Sequence, residues 1–277
     1  MNVTYKELLD AGVHYGHLKR KWNPKMAPYI FMERNGIHVI DLNKTLTSLT
    51  RACEIAKGMT RDGRKIMFVA TKKQAREIVS QEATRIGMPF VTERWLGGML
   101  TNFNTVKKSL KKLSSIDKMM KSESYQNLAK RERLMISRQK EKLERILGGI
   151  ANENRLPSAI FVVDISREHI AVKEARKLNI PVFALVDTNS DPSLADYAIP
   201  GNDDAYKSIA LITRAFSQAI EVGLNERKQE REENKRKEEE SKKKAMDQNP
   251  EAAEVAEAMA AKQDLDNEAT PTQETEQ

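Results

Sequence analysis

The chain has 277 residues, of which 39% are hydrophobic and 31% charged, and it carries a formal net charge of +7. It has no apolar run near the roughly 18 residues of a membrane span, and its single cysteine excludes an internal disulfide framework. Its N-terminus lacks the pattern of a signal peptide, so we expect a protein of the reducing cytoplasm.

The charge is divided unevenly along the chain. Residues 226–277 hold 10 Lys and Arg against 16 Asp and Glu, whereas residues 1–225 hold 37 against 24. The part expected to fold therefore carries a net charge of +13. A field of that sign favours nucleic acid or another anionic surface as a partner.

The N-terminal region predicts a capped helix followed by a basic loop. Thr4 and Glu7 have the spacing of a capping box. The following segment, AGVHYGHLKRKWNPKMAPYI (residues 11–30), contains glycines and prolines that argue against regular structure. Its cations surround Trp22, a combination that suits RNA phosphates and exposed rings.

A hairpin and a helix are predicted next. Residues 29–41 hold two β-type runs around an Asn-Gly pair, which predicts a type I′ turn. The segment LNKTLTSLTRACEIAKGM then has apolar residues at helical spacing. This spacing puts Cys53 on the buried face, where a small core side chain is favoured over a reactive thiol.

Short apolar strands then alternate with amphipathic helices. Strands are predicted at residues 65–71, 89–94, 158–164, 180–187 and 196–200, and helices at 72–87, 166–179 and 203–223. Such alternation implies a parallel sheet covered by helices on both faces. In the helix at 166–179, Ile170, Ala171, Ala175 and Leu178 are expected to face inward.

The segment RWLGGMLTNF (residues 94–103) follows one of these strands. We expect its glycines to let the chain turn tightly, and Trp95 to be a core residue rather than a base-stacking one. Arg94, Thr101 and Asn102 have two open interpretations. They orient the following segment through local hydrogen bonds, or they contact RNA phosphates.

Residues 104–150 interrupt the strand–helix alternation. Two apolar stripes at helical spacing, separated by a polar turn, predict an antiparallel coiled-coil hairpin, which we call the arm. Residues 105–147 hold 13 Lys and Arg against 5 Asp and Glu. The arm is therefore either a solvated charged surface or, because its excess charge has one sign, a surface that lies against a large anion.

The remaining boundaries follow from composition. We expect an α/β body from residues 1–103 and 151–225, with the arm inserted between its two parts. Beyond Leu224 the residues are almost entirely charged, then rich in Ala, Glu and Gln without apolar periodicity. Residues 226–277 are therefore predicted to form a disordered charged tail.

Enzymatic motifs are missing from the sequence. It contains no Walker-type phosphate loop, no G-x-G-x-x-G and no G-x-S-x-G. An acidic cluster at the strand ends, with a histidine, suits a metal ion; its members would be Asp187, Asp191, Asp203 and Asp204 with His14 or His17. The favoured interpretation is local: Asp164 or Ser166 and Asp203 cap helices, and the others form turns.

Several separated segments resemble the bacterial form of the ribosomal small-subunit protein S-two family, in the family's order. Between about residues 4 and 225 they read LLDAGVHYGHLKRKWNPKMAPYIFMERNGIHVIDLNKT, FVATKKQA, ERWLGGMLTNFNTVKKS, KLERILGGI, FVVDISREHIAVKEARKLNIPVFALVDTNSDP and YAIPGNDDA. The resemblance implies a flavodoxin-like three-layer α/β/α body with an inserted coiled-coil hairpin. It also implies a structural role in the small ribosomal subunit, bound to ribosomal RNA and supporting the docking of ribosomal protein S-one.

Our first hypothesis is therefore a non-catalytic RNA-binding protein of the ribosome that needs no metal or cofactor. Its expected partners are small-subunit ribosomal RNA and neighbouring ribosomal proteins including S-one, and neither DNA nor a membrane. The expected RNA-binding residues lie in the basic loop, the hairpin tip, the entry to the arm and the arm: Lys19, Arg20, Lys21, Trp22, Lys25, Arg34, Asn35, Arg94, Thr101, Asn102, Lys107, Lys108, Lys111, Lys112, Lys130, Arg131 and Arg133.

Two other functions remain open from the sequence. One is an enzyme that binds a phosphorylated small molecule at the carboxyl edge of the sheet, with Asp164, Asp187 and Asp203 as catalytic or metal-binding residues. The other is an interaction scaffold whose arm and tail bind proteins.

Overall fold

The computed structural model describes the backbone of residues 3–248 and the side chains of residues 3–237 other than residue 124. Met1–Arg227 form one compact unit, and Lys228–Gln277 belong to a second one. Within the described residues, no helix is both long enough and apolar enough to cross a membrane.

The first unit begins with a short helix and a small antiparallel sheet. Helix α1 (Tyr5–Asp10) has both hydrogen bonds of the predicted capping box at Thr4. Strands β1 (Tyr15–Leu18), β2 (Ile30–Arg34) and β3 (Ile37–Ile40) form the sheet in the order β1-β3-β2. The prediction that residues 11–30 lack regular structure is wrong for Tyr15–Leu18, which pair with β3, and the basic loop is the part of that segment between β1 and β2.

The predicted hairpin and the following helix are both confirmed. Asn35 and Gly36 have φ angles of 52° and 75°, the positive values that a type I′ turn requires. Helix α2 (Leu42–Arg61) follows, capped by Asp41, whose side chain accepts from the Asn43 N–H. Burial raises the pKa of Cys53 to about 12, which agrees with a core residue.

A five-stranded parallel sheet forms the centre of the first unit. Its strands are β4 (Ile66–Val69), β5 (Phe90–Val91), β6 (Ala159–Val163), β7 (Val182–Val186) and β8 (Tyr197–Pro200). Their order in the sheet is β5-β4-β6-β7-β8, and each neighbouring pair is parallel. This is the 2-1-3-4-5 order of flavodoxin-like sheets. Strand β5 is much shorter than the predicted 89–94.

Helices cover both faces of this sheet. The remaining helices are α3 (Lys73–Arg85), α4 (Phe103–Met120), α5 (Glu123–Gln126), α6 (Lys130–Leu147), α7 (His169–Lys177) and α8 (Tyr206–Gln248). One face packs against α2, α3 and α8, and the rings of Phe161 and Phe216 stack there with centroids 4.5 Å apart. The other face packs against α7 and the beginning of α4. The result is a three-layer α/β fold.

Helices α4 and α6 fall in the predicted arm and lie against each other. The predicted stripe on α4 is buried at Val106, Leu110, Leu113 and Ile116. Lys140 of α6 pairs with Asp117 of α4 at 2.7 Å. These contacts establish a helix pair, and coiled-coil packing along its whole length stays a prediction.

Two local predictions are wrong. In α7 the side chains of Ile170 and Leu178 are 43% and 37% exposed, and Val172 and Glu174 are buried instead. Asp203 is expected to cap α8, but its Oδ1 accepts from Lys72 Nζ at 2.7 Å. The Asn202 side chain accepts from the N–H groups of Asp204 and Ala205, which precede the helix.

Helix α8 continues to Gln248, well past Leu224. The predicted disorder is therefore not confirmed for residues 226–248, whose Glu, Lys and Arg residues are good helix formers. Residues 249–277 of the predicted tail lie outside the described residues.

Candidate nucleic-acid interface

The basic loop consists of two short 3-10 turns, Lys19–Lys21 and Pro24–Tyr29. Lys19 pairs with Glu33 at 2.7 Å, and Lys25 pairs with Asp191 at 2.6 Å. Arg20 and Lys21 are exposed and form no ion pair with any described residue. The loop therefore presents free positive charge to solvent.

Buried contacts fix the loop to the parallel sheet. The His17 N–H donates to Thr188 Oγ1 and the Asn23 N–H donates to the Thr188 carbonyl, both at 2.8 Å. Gly16 permits this approach, because a Cβ there would lie 2.6 Å from Thr188 Cγ2 and 2.9 Å from the His38 carbonyl oxygen. The cations are thus mounted on a positioned backbone.

The aromatic and hairpin residues of the predicted set differ in exposure. Trp22 is half-buried, with its ring centroid 5.1 Å from that of His38. Arg34 and Asn35 are exposed at the hairpin tip. One edge of Trp22 therefore supports the loop, whereas the hairpin tip is open to a partner.

The predicted cations of the arm lie on the outer surfaces of the two helices. Lys108, Lys111 and Lys112 of α4 are exposed, and Lys107 lies 5.3 Å from the centroid of the Phe103 ring. Lys130 and Arg131 of α6 are also exposed and Arg133 is half-buried. None of these seven cations forms an ion pair within the described part of the chain.

The loop that enters the arm holds a buried carboxylate of the protein itself. Glu174 Oε1 accepts from the Gly98 N–H at 2.7 Å and from Trp95 Nε1 at 3.2 Å. Its Oε2 accepts from the N–H groups of Leu100 and Thr101 at 3.0 Å and from Thr101 Oγ1 at 3.1 Å. The glycine loop therefore binds an anion, and that anion is an internal side chain.

These hydrogen bonds bear on the two interpretations of the arm-entry residues. Thr101 donates to Glu174, and Asn102 Oδ1 accepts from Thr105 Oγ1 at 2.9 Å, so both make local hydrogen bonds. Trp95 is 7% exposed and belongs to the core. Arg94 is exposed, which leaves it available to a phosphate.

Sequence reasoning missed Glu174 because nothing in the helical pattern distinguishes a buried carboxylate from an exposed one. Burial alone would raise the pKa of Glu174. The N–H groups of Thr101, Gly98 and Leu100 outweigh that effect and hold the pKa below its ordinary value. The carboxylate therefore stays ionised inside the protein.

A second buried cluster lies at the carboxyl edge of the sheet. Lys72 Nζ lies 2.7 Å from Asp203, 2.6 Å from Asp204 and 3.4 Å from Asp164. Burial disfavours the ammonium, yet the carboxylates raise the pKa of Lys72 above its ordinary value. His17 joins the cluster through Asp187 at 3.1 Å, a hydrogen bond that raises the pKa of His17.

This cluster bears on the metal and enzyme alternatives. Donor atoms of His17, Asp187 and Asp203 lie within 4.8 Å of one another, and such a set could hold a cation. The Lys72 ammonium already supplies positive charge to Asp203. Asp191, also proposed for that set, pairs with Lys25 and accepts from the Ser193 N–H at 2.9 Å, as a turn residue does.

The sequence also matches known proteins over most of its length. The family model described as "Ribosomal protein S2" matches residues 8–223. A protein of Cytophaga hutchinsonii, named "Small ribosomal subunit protein uS2", is 65% identical over 231 residues, which cover 83% of this chain and 91% of that protein. Proteins of the same name from Porphyromonas gingivalis and Flavobacterium johnsoniae are 61% and 58% identical; the matches cover 83% of this chain and 82% and 91% of those proteins.

Proposed function

The chain belongs to the ribosomal protein S2 family, and on that premise we propose that it is a structural, non-catalytic protein of the small ribosomal subunit that binds small-subunit ribosomal RNA. The relatives carry the small ribosomal subunit in their names. Its RNA-binding surfaces are the basic loop, the hairpin tip and the arm.

The observation that carries this proposal is the unpaired, exposed positive charge on the loop and the arm. Arg20 and Lys21 on the loop, and the seven arm cations, form no ion pair with any described residue. Phosphates are the complementary anions, and each phosphate contact releases counterions into solution. Binding to RNA therefore uses cations that no ion pair among the described residues holds.

We propose that recognition relies on RNA shape and backbone rather than on base sequence. Aromatic residues are 5% of the chain, and Trp22 is half-buried. Lysine contacts to phosphates position a protein without reading bases. The arm, as a coiled-coil hairpin, would extend this basic surface along the RNA.

A finer part of the proposal concerns the neighbouring ribosomal protein S-one. Large apolar side chains of the small antiparallel sheet are exposed: Tyr15 by 55%, Leu18 by 40%, Phe31 by 71% and Met32 by 47%. Exposed apolar surface marks a protein interface where it is contiguous. This sheet would help to dock S-one, as the resemblance to the family implies.

Replacing Lys19, Arg20 and Lys21 together with alanine tests the RNA-binding part. We expect the variant to bind small subunits stripped of this chain at least about tenfold more weakly, because three phosphate contacts are lost. Its thermal unfolding should be nearly unchanged, since the three side chains are exposed.

The matched control replaces Lys235, Arg236 and Lys237, three exposed residues of α8, with alanine. It changes the net charge by the same amount, and we expect it to bind almost as well as the unaltered chain. Equal weakening in the two variants would contradict a specific role for the loop and leave only a general charge effect.

A further inference from the structure

The base of the arm joins the sheet through buried apolar residues at the start of α4 and after the end of α6, and also through a polar contact. Helix α4 begins directly after the loop of residues 94–102, and five donors of this loop converge on the Glu174 carboxylate. Glu174 is 8% exposed and, among the described residues, no Lys or Arg pairs with it. Its charge is satisfied by the arm-entry loop.

The buried side chains of Trp95, Met99 and Leu100 also hold the loop, but its two glycines add no side-chain packing. Gly98 has a φ of 88°, a left-handed conformation, and a Cβ on Gly97 would meet nothing within 4 Å. Two successive glycines leave the chain free to bend there. The carboxylate bridges both sides of the bend, because it accepts from Trp95 before it, from Gly98 within it, and from Leu100 and Thr101 after it.

A small change in the direction of α4 at its base displaces the far end of the arm by a larger distance. Helix α4 has 18 residues, which gives a length of about 27 Å. A rotation of about 10° at its base would move the far end by about 5 Å, more than the reach of a hydrogen bond. The contacts at residues 94–102 therefore help to place the cations of the arm, together with Leu147 and Ile150 at its other end.

We propose that Glu174 is a positioning residue for RNA binding, whose carboxylate fixes the direction in which the arm leaves the sheet. This inference rests on the proposed function and deepens it. With the direction fixed, the arm and the basic loop bind one RNA surface at the same time, and each raises the effective concentration of the other. Without the carboxylate, the arm contributes less to the affinity for RNA, although all of its lysines remain.

The test replaces Glu174 with glutamine in the full chain and measures binding to small subunits stripped of it. The glutamine amide presents an N–H group where the carboxylate accepted hydrogen bonds, so we expect binding at least about fivefold weaker. The matched control is Glu132→Gln on α6, an exposed residue with the same change in charge. The Glu132→Gln variant also carries one more net positive charge, and we expect it to bind RNA equally well or better.

Two multiple variants separate positioning from general loss of structure. In a background lacking Lys108, Lys111 and Lys112, Glu174→Gln should have a smaller further effect, because the arm contributes less to binding. In a background lacking Lys19, Arg20 and Lys21 its effect should shrink as well, because the loop with which the arm acts is lost. The full factor in both backgrounds would overturn the proposal, since loss of stability acts on every background alike.

A milder variant keeps the test decisive if Glu174→Gln does not fold. Thr101→Val removes only the hydroxyl donor to the carboxylate. It should weaken binding by a smaller factor that is again reduced in both backgrounds; a factor that neither background reduces would overturn the proposal. If replacing Lys19, Arg20 and Lys21 with alanine left binding at the wild-type level, that result would instead count against the proposed function.

Discussion

Glu174 and Lys72 are buried charges that the protein satisfies in different ways. Glu174 is surrounded by neutral donors of one loop, whereas Lys72 contacts three carboxylates at the carboxyl ends of neighbouring strands. In doubly wound folds this edge binds ligands. Here the protein's own side chains fill it, which agrees with a structural rather than a catalytic protein.

Asp203 gives this cluster a measurable pH dependence. Burial first, and then the neighbouring Asp164 and Asp187, raise the pKa of Asp203 to about 7, against about 3.9 in an unfolded chain. The folded state therefore holds this proton more tightly. The contribution of this bound proton to the free energy of unfolding is complete below the pKa of Asp203 in the unfolded chain, and it is lost as the pH rises through 7.

Replacing Asp203 with asparagine, which resembles the protonated acid, should remove this dependence. Between pH 5 and 7, we expect the free energy of unfolding of the wild type to fall relative to that of Asp203→Asn, by on the order of 1 kcal/mol per pH unit. Urea denaturation in chelator-containing buffer measures it, because His17, Asp187 and Asp203 could otherwise hold a cation. Parallel pH profiles for the two proteins would show that the carboxyl is not held protonated.

At the scale of single residues, the sequence predicted roles where local chemistry decides them. The capping box at Thr4 and the turn at Asn35-Gly36 depend on neighbours within four residues, and both are present. Glu174 was missed because its partners lie more than 70 residues away along the chain. Asp203, expected to cap α8, accepts instead from Lys72, which lies 131 residues away along the chain.

At the scale of elements, hydrophobic periodicity predicted most of the body. The strands from β6 to β8 are short apolar runs, and alternation with helices gave their parallel arrangement. Strand β5 is only two residues long and lies at the edge of the sheet, where β4 alone pairs with it. The buried positions of α7 differ from the expected ones because an error of one residue in where the helix begins changes which residues face inward.

The arm is the element whose packing is most open to test. Ile116 is 5% exposed on α4, so Ile116→Ala should destabilise the helix pair by about 2–4 kcal/mol. We expect faster amide hydrogen exchange in α4 and α6, and unchanged exchange in β6 and β7. The matched control is Leu134→Ala on α6, which is 50% exposed and should change little.

Unchanged exchange in α6 after Ile116→Ala would contradict the proposed coiled-coil packing. Faster exchange throughout the parallel sheet would mean that the arm and the body unfold together. The sequence could not decide between these outcomes, because apolar spacing predicts which residues are buried but not how cooperatively they unfold.

At the scale of the whole molecule, charge and family membership agree. Residues 1–225 carry a net charge of +13, and the family model matches residues 8–223, nearly the same range. The charge excess could be read from composition alone. The placement of the cations could not, because it depends on Thr188 beneath the loop and on Glu174 beneath the arm.

The central claim is that this chain is a structural protein of the small ribosomal subunit. Sedimentation of a cell lysate through a sucrose gradient, with and without a high-salt wash, tests it most directly when the fractions are probed for this chain. We predict that it migrates with small subunits and stays bound through moderate salt, and that it dissociates as the salt rises further. Migration as free protein, in cells whose small subunits are intact, would contradict the claim.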